Sequence, residues 1–217
     1  MQSASPYIIR KEVIFDRLLP LVEPMGFELH TKLNQFRKIT PNGFQTLIVS
    51  LSPYDEMCVL EIHLGIRNHQ VENIVFPFTN GLPGFRQDSM TVVTSMGRIA
   101  GKRFWRFELR EMHDLNLALA TIREFMQQQG WDFLNQHTPL TTLESTLQQD
   151  QQRAVPLIQN VAHRCMRSLV IHKLLYRPHF EQLVATHQTI FEVQVSNPAL
   201  RKRYEELVIF LRHYSMN

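Results

Sequence analysis

The segment from Phe44 to Arg67 constrains the fold of this chain more than any other stretch. Two β-rich runs, Phe44–Leu51 and Met57–Arg67, flank a cluster of turn-forming residues at Ser52–Glu56. This arrangement predicts a β-hairpin, because Pro and Asp favour tight turns between extended runs. In the second run apolar and polar side chains alternate, so one face of the strand is expected to point into the core. That face carries Leu60, Ile62, Leu64 and Ile66, and the opposite face carries Glu61, His63 and Arg67.

A helix and another strand precede this hairpin. Residues Ile8 to Glu23 carry an approximate apolar stripe and predict an opening helix, which Pro24 stops and Gly26 is placed to cap. Residues Gln35 to Thr40 predict a strand that turns back at Pro41-Asn42-Gly43, since Asn-Gly is a strong hairpin signal. The first part of the chain is therefore expected to form an antiparallel meander of at least three strands.

The chain turns helical from Asp114 onward. Asp114 is expected to cap a helix that ends near Gly130, and Thr141 with Glu144 matches a capping box. Further helices are predicted to begin at Pro156, Pro178 and Pro198.

These patterns together predict an α+β fold: an N-terminal helix on an antiparallel meander sheet, followed by a C-terminal α-helical part. The change of pattern near Thr138 predicts two domains. The first is an α+β antiparallel-sheet domain over 1–137, and the second is an α-helical domain or extension over 138–217.

The composition is that of an ordinary globular protein. The chain has 217 residues, of which 44% are hydrophobic, and its formal net charge is +3. This length supports a full apolar core without a disulfide. Cys58 and Cys165 fit no metal-ligand spacing, so we expect reduced core thiols. No apolar run reaches the roughly eighteen residues that a membrane helix requires, which predicts a cytoplasmic protein without membrane contact.

The polar face of the central hairpin suggests one form of chemistry. Glu61 and His63 share a strand face and Asp55 lies in the preceding turn, a pattern that resembles the acidic hairpin of a metal-dependent nuclease. The alternative is that Glu61, His63 and Arg67 form the solvated face of an antiparallel sheet, which is the ordinary appearance of such strands.

The densest basic cluster lies between Arg98 and Arg110, where a further strand is expected. Aromatic residues are interleaved with the cations, as in surfaces that stack bases and hold phosphates. An amphipathic strand explains the same alternation without any ligand. The residues concerned are Arg98, Lys102, Arg103, Arg106 and Arg110, with Phe104, Trp105 and Phe107.

Between Asn68 and Met96 the regular pattern dissolves. Phe76, Phe78 and Phe85 lie among Pro and Gly residues there, a composition typical of an ordered loop that covers a sheet or carries a site. These aromatic residues are candidates for contact with a protein partner.

Motifs of the common enzyme classes are absent from the sequence. There is no glycine-rich phosphate loop and no paired-histidine zinc helix, and Ser95-Met96-Gly97 lacks the preceding Gly of a nucleophile elbow. The sequence therefore favours a protein that is not an enzyme, with no cofactor and no metal site.

The first third of the chain resembles an uncharacterised family of bacterial domains of unknown function. In that family a helix ends at a Gly-Phe pair, an extended segment follows, and an antiparallel hairpin closes on a Leu-Gly-Ile type sequence. The matching residues here are Gly26-Phe27, Phe36-Arg37, Gln45 and Leu64-Gly65-Ile66. The resemblance implies partner binding, because members are similar to small bacterial accessory and immunity-type proteins.

The hypothesis that these observations favour is a non-enzymatic bacterial protein that binds another protein. It would act as an inhibitor, as an immunity-type protein, or as an accessory subunit of a conflict or defence system. Two alternatives stay open: a nuclease-like metal enzyme using Asp55, Glu61 and His63, and nucleic-acid binding by the segment 98–110. The candidate binding residues are Phe76, Phe78, Phe85, Arg98, Lys102, Arg103, Trp105 and Arg106.

Overall fold

A computed structural model describes residues 9–215, apart from the side chain of residue 151. The fold is α+β, as predicted, with a six-stranded antiparallel sheet and helices before and after it. The strands are β1 (Glu28–His30), β2 (Gln35–Thr40), β3 (Gly43–Pro53), β4 (Cys58–Asn68), β5 (Val92–Ser95) and β6 (Phe107–Leu109). The helices are α1 (Lys11–Val22), α2 (His69–Val75), α3 (Met96–Ile99), α4 (Met112–Phe125), α5 (Trp131–Gln136), α6 (Leu140–Gln149), α7 (Val161–Leu174), α8 (Phe180–Gln194) and α9 (Pro198–His213).

The chain forms two compact units. Among the described residues, one holds 9–65 together with Val93–Asn135, and the other holds Ile66–Val92 together with 136–215. These units differ in extent from the two predicted domains, because the segment Ile66–Val92 groups with the C-terminal helices. The order of elements along the sequence does not reveal this grouping, since the segment leaves the sheet at the end of β4 and returns to it at β5.

The sheet has the order β1-β2-β3-β4-β5, and β6 also pairs with β4. The predicted first hairpin is confirmed, because Thr40 pairs with Gly43 across the two-residue turn Pro41-Asn42. Alternation along β4 is confirmed as well: all four predicted core residues are at most 1% exposed. Helix α1 packs on the sheet, with the rings of Phe15 and Phe36 5.6 Å apart and edge-to-face.

The opening helix is shorter than predicted. It begins at Lys11 and ends at Val22, and a 3-10 turn follows to Met25. Gly26 then adopts φ of 82°, the left-handed conformation expected of a glycine that ends a helix. The predicted first residue, Ile8, lies outside the described residues.

The expected strand over Arg98–Arg110 is wrong for most of its length. Only Phe107–Leu109 is extended, and Met96–Ile99 forms the short helix α3. Two glycines explain the difference. Gly101 has φ of 73° and reverses the chain, and a Cβ on Gly97 would lie 2.9 Å from Cβ of Trp105. The chain therefore folds back tightly on α3 where the alternating pattern predicted a strand.

Two predictions around α4 need correction. The N-cap residue is Glu111, whereas Asp114 occupies the third helical position and closes a capping box with it. Gly130 does not end the helix, since the backbone continues through a π-helical segment, Met126–Gly130, into α5. A Cβ on Gly130 would lie 2.5 Å from Sδ of Met126, so the glycine serves close packing inside the helix.

The second unit is built around α7, which packs against α2, α6, α8 and α9. The predicted start of this helix at Pro156 is wrong. The helix begins at Val161 with Asn160 as its cap, because the Asp150 carboxylate holds the preceding backbone by accepting from the N–H groups of Leu157 and Ile158. Helix α9 begins at Pro198, as predicted, whereas the helix expected at Pro178 begins at Phe180.

The capping box expected from Thr141 and Glu144 does not form. Helix α6 begins at Leu140 with Pro139 before it, which places Thr141 inside the helix. Glu144 is buried, and its carboxylate oxygens bind His172 at 3.1 Å and Arg177 at 2.9 Å. Tertiary partners have therefore replaced the local one.

Candidate functional site

The residues of the predicted metal site do not form a metal-binding group. Glu61 accepts a hydrogen bond at 3.0 Å from Nε of Arg106, and Asp55 lies in an exposed bend. Burial lowers the pKa of His63, although the nearby Glu61 carboxylate acts in the opposite direction. Among residues 9–215 no group of three His, Cys, Asp or Glu side chains is placed to hold an ion. The geometry therefore assigns Glu61 to an ion pair.

Arg67 departs from the solvated strand face that was predicted. It is 4% exposed, and its Nη1 donates to the carbonyl oxygen and the hydroxyl of Ser89 at 2.6 and 2.7 Å. Arg67 thus fixes the far end of the segment that leaves the sheet after β4.

The basic-aromatic loop, defined here as residues 98–106, lies in the first unit. Trp105 anchors it, since its ring lies 6.1 Å from that of Phe125 and 6.4 Å from that of Phe107. The ammonium of Lys102 lies 4.0 Å from the centre of the Trp105 ring. Trp105 is therefore an internal support of the loop.

Phe104 is the residue that this loop presents to solvent. Its side chain is 73% exposed, and the guanidinium of Arg106 lies 5.6 Å from the centre of its ring. Lys102 and Arg103 flank it and are also exposed, whereas Arg98 lies half-buried on α3. The predicted cluster is thus gathered in one loop, and its exposed aromatic residue is one that the candidate binding set left out.

The aromatic loop, defined here as residues 76–89, lies in the second unit. Its three predicted binding residues have different roles. Phe76 packs on Gly81, where a Cβ would lie 2.7 Å from Cε2 of the ring, and the Phe78 ring lies 5.5 Å from that of Phe210. Phe85 is 55% exposed, and nearby Leu82 is 67% exposed. The exposed apolar pair is therefore Leu82 and Phe85.

Hydrogen bonds hold the aromatic loop in one conformation. The amide of Phe85 donates to the carbonyl oxygen of Leu82 at 2.9 Å, closing the turn that carries the exposed pair. The amide of Thr79 donates to Phe76, and Arg203 of α9 donates to the Thr79 carbonyl oxygen. The loop is therefore an ordered part of the second unit.

A buried ion pair supports the end of the aromatic loop. Arg167 of α7 donates to both carboxylate oxygens of Glu72 at 2.8 Å, and its Nε also lies 3.1 Å from the carbonyl oxygen of Met90. Burial by itself raises the pKa of Glu72, but the charge and hydrogen bonds of Arg167 outweigh it and lower that pKa. Sequence reasoning missed this pair. The signal that could have indicated it is the presence of a Glu and an Arg among the apolar residues of two helices.

A cavity of about 400 Å³ lies in the second unit. Sequence reasoning missed it too, because its residues come from the end of α7 and the turn after it, from the start of α8, and from the segment that follows α9. The residues that line it are Lys173, Tyr176, Arg177, Phe180, Tyr214 and Ser215.

Within residues 9–215 no helix has both the length and the apolar character needed to span a bilayer.

A comparison with known proteins gives no likeness from which a function could be transferred. No protein-family model, no curated protein and no solved structure matches this chain.

Proposed function

We propose that this chain is a non-enzymatic protein that binds another protein through its aromatic loop. The observation that carries the proposal is the exposure of Leu82 and Phe85 on one hydrogen-bonded turn. Large apolar side chains placed together in solvent mark interaction surfaces more often than single exposed apolar residues do.

The order of the loop supports this function. A partner that meets a preformed surface does not have to immobilise it, and this reduces the entropic cost of association. An aromatic side chain at the centre of such a surface can supply a large part of the binding energy. Phe85 is such an exposed aromatic side chain, and Leu82 extends the apolar area beside it.

The proposal is tested by quantitative affinity capture from the cells that make the protein. We expect a protein to be recovered stoichiometrically with the full chain and lost with the double variant Leu82→Ser, Phe85→Ser. The matched control is Val193→Ser, which removes a still more exposed apolar residue, 79% exposed, from α8. Capture that is the same with all three chains, or no stoichiometric partner at all, would contradict the proposal.

The narrower form of the proposal is an inhibitor, immunity-type protein or accessory subunit of a bacterial conflict or defence system, acting in the cytoplasm. It is supported by the resemblance of the first third of the chain, through residues such as Gly26-Phe27, to bacterial domains of similar character. A captured partner with toxin or nuclease activity that the chain suppresses would support this form. A partner whose activity is unaffected would remove the inhibitory role.

A second candidate function is binding of single-stranded nucleic acid by the basic-aromatic loop. The exposed Phe104 ring beside Lys102, Arg103 and Arg106 is the observation that favours it, because bases stack on such rings while cations hold the phosphates. Fluorescence anisotropy with a labelled oligonucleotide should show affinity that falls steeply with salt. Phe104→Ala should weaken binding, whereas Leu117→Ala, on an exposed residue of α4, should not. A flat salt response would exclude this function.

A further inference from the structure

We propose that the cavity of the second unit binds a nucleoside monophosphate, that is, a small ligand that joins a planar aromatic ring to a phosphate. This binding is separate from the protein-binding function proposed above, since it involves none of the residues of the aromatic loop. The volume of the cavity, about 400 Å³, lies within the range of about 300–1,000 Å³ typical of small-molecule sites.

The aromatic lining supplies the first recognition element. Tyr176, Phe180 and Tyr214 reach the cavity from three different segments of the chain. Aromatic side chains attract a planar ring by stacking on its face or by edge-to-face contact. The hydroxyl groups of the two tyrosines and of Ser215 add hydrogen-bonding groups, which suit a base with a ribose better than a plain hydrocarbon ring.

Positive charge supplies the second element. Lys173 lines the cavity with its ammonium 5.5 Å from the centre of the Phe180 ring, and it forms no ion pair among residues 9–215. Glu181 is near enough to interact with Lys173, but both of its carboxylate oxygens accept from Arg212, at 3.0 and 2.7 Å. The charge of Lys173 is therefore available to an anion.

Arg177 contributes a second cation. Its Nε donates to Glu144, whose other oxygen is bound to His172, so the guanidinium is held in place on one side. Its side chain is nevertheless 46% exposed. A guanidinium oriented in this way has further N–H groups with which to meet a phosphate oxygen.

The wall between Lys173 and Phe180 is preorganised. Tyr176 and His179 both have positive φ, at 50° and 66°, and Tyr176 ends α7 in the left-handed conformation that is common just past a helix C-terminus. A ring nitrogen of His172 lies 3.0 Å from the carbonyl oxygen of Pro178, and the amide of Arg177 donates to the carbonyl oxygen of His172 at 3.2 Å. The turn that carries Tyr176 is thus tied to the end of α7.

Titration calorimetry of the full chain with AMP, adenosine, ribose 5-phosphate and phenyl phosphate tests this proposal. AMP should bind about tenfold or more tightly than adenosine or ribose 5-phosphate, because each of these lacks one of the two recognised groups. Phenyl phosphate should also bind more weakly than AMP, since it lacks the base and ribose. No binding of AMP, or phenyl phosphate binding as tightly as AMP, would overturn the assignment.

Three variants locate the site. Lys173→Gln should weaken AMP about tenfold and leave adenosine unchanged, because it removes a charge-assisted contact alone. Tyr176→Asn should weaken both AMP and adenosine. Asn tolerates the left-handed backbone and Tyr176 is 73% exposed, so the fold should persist, as an unchanged unfolding temperature would verify. The control Lys202→Gln, on a 77% exposed side chain of α9, should change nothing. Equal affinity of AMP for all four chains would overturn the proposal.

Discussion

Arg167 and Glu72 form a bidentate ion pair in the interior of the second unit, with both hydrogen bonds 2.8 Å long and both side chains at most 5% exposed. The pair joins α7 to α2, and Arg167 also reaches the Met90 carbonyl oxygen at the end of the aromatic loop. Its energetic role differs from that of the exposed pair between Arg212 and Glu181. Water screens the exposed pair, whereas either member of the buried one is costly to leave alone.

Glu72→Gln is expected to lower the free energy of unfolding by about 3–5 kcal/mol, because it leaves the Arg167 charge buried without its counter-ion. Denaturation by urea measures this loss. The matched control is Glu181→Gln, which removes a carboxylate from the exposed pair and should have little effect. The double variant Glu72→Met, Arg167→Met should recover most of the stability, since no charge then remains buried. A small effect of Glu72→Gln alone would show that water reaches Arg167.

The stability of the second unit is expected to fall in acid through His187. Burial lowers the pKa of His187 to about 4, with Arg164 adding to the effect, whereas the unfolded chain binds a proton near pH 6.5. The unfolded state therefore holds more protons between these values. The contribution of neutral His187 to the free energy of unfolding is complete above pH 6.5. It is lost as pH falls towards 4, at about 1.4 kcal/mol per pH unit.

Urea denaturation of the wild type and of His187→Gln between pH 4 and 7 measures this contribution. In the variant the free energy of unfolding should change less steeply with pH, by up to about 1.4 kcal/mol per pH unit, which is the slope that one proton produces. Gln188→Ala, a change at an exposed neighbour on the same helix, should keep the slope of the wild type. Identical slopes for His187→Gln and wild type would contradict the assignment of this proton to His187.

Gly97→Ala is expected to destabilise the first unit by about 1–3 kcal/mol, the usual effect of overpacking. Its Cβ would lie 2.9 Å from Cβ and 3.1 Å from the backbone nitrogen of Trp105, so the basic-aromatic loop would have to move. Thermal unfolding and the fluorescence of Trp105 report this change. Gly84→Ala is the matched control, because its Cβ would meet no atom within 4 Å.

The exposed pair of the aromatic loop is expected to be dispensable for folding. The double variant Leu82→Ser, Phe85→Ser should change the free energy of unfolding by less than about 0.5 kcal/mol, as most exposed substitutions do. Phe78→Ala should cost more, up to about 3 kcal/mol, because the half-buried Phe78 ring packs against Phe210. Urea denaturation of both variants measures the contrast. A large loss in the Ser variant would place Leu82 or Phe85 in the core and weaken the binding proposal.

Local patterns determined several of the regular elements of this protein. Alternation of side chains identified the buried face of β4, the Asn-Gly pair of Pro41-Asn42-Gly43 identified the first hairpin, and Pro198 marked the start of α9. Each of these signals acts through residues a few positions apart, so backbone geometry and burial of one face are sufficient to produce them.

Tertiary structure alone decided where the chemistry-bearing side chains lie. Glu144 has the spacing of a capping residue but binds His172 and Arg177, and Glu61 has the spacing of a metal ligand but binds Arg106. A buried or half-buried carboxylate pairs with whichever cation the fold brings within hydrogen-bonding distance. These partners come from 28 to 45 residues away, and Arg167 comes 95 residues after Glu72. Periodicity in the sequence carries no information about pairs so widely separated, because packing of the elements against each other selects them.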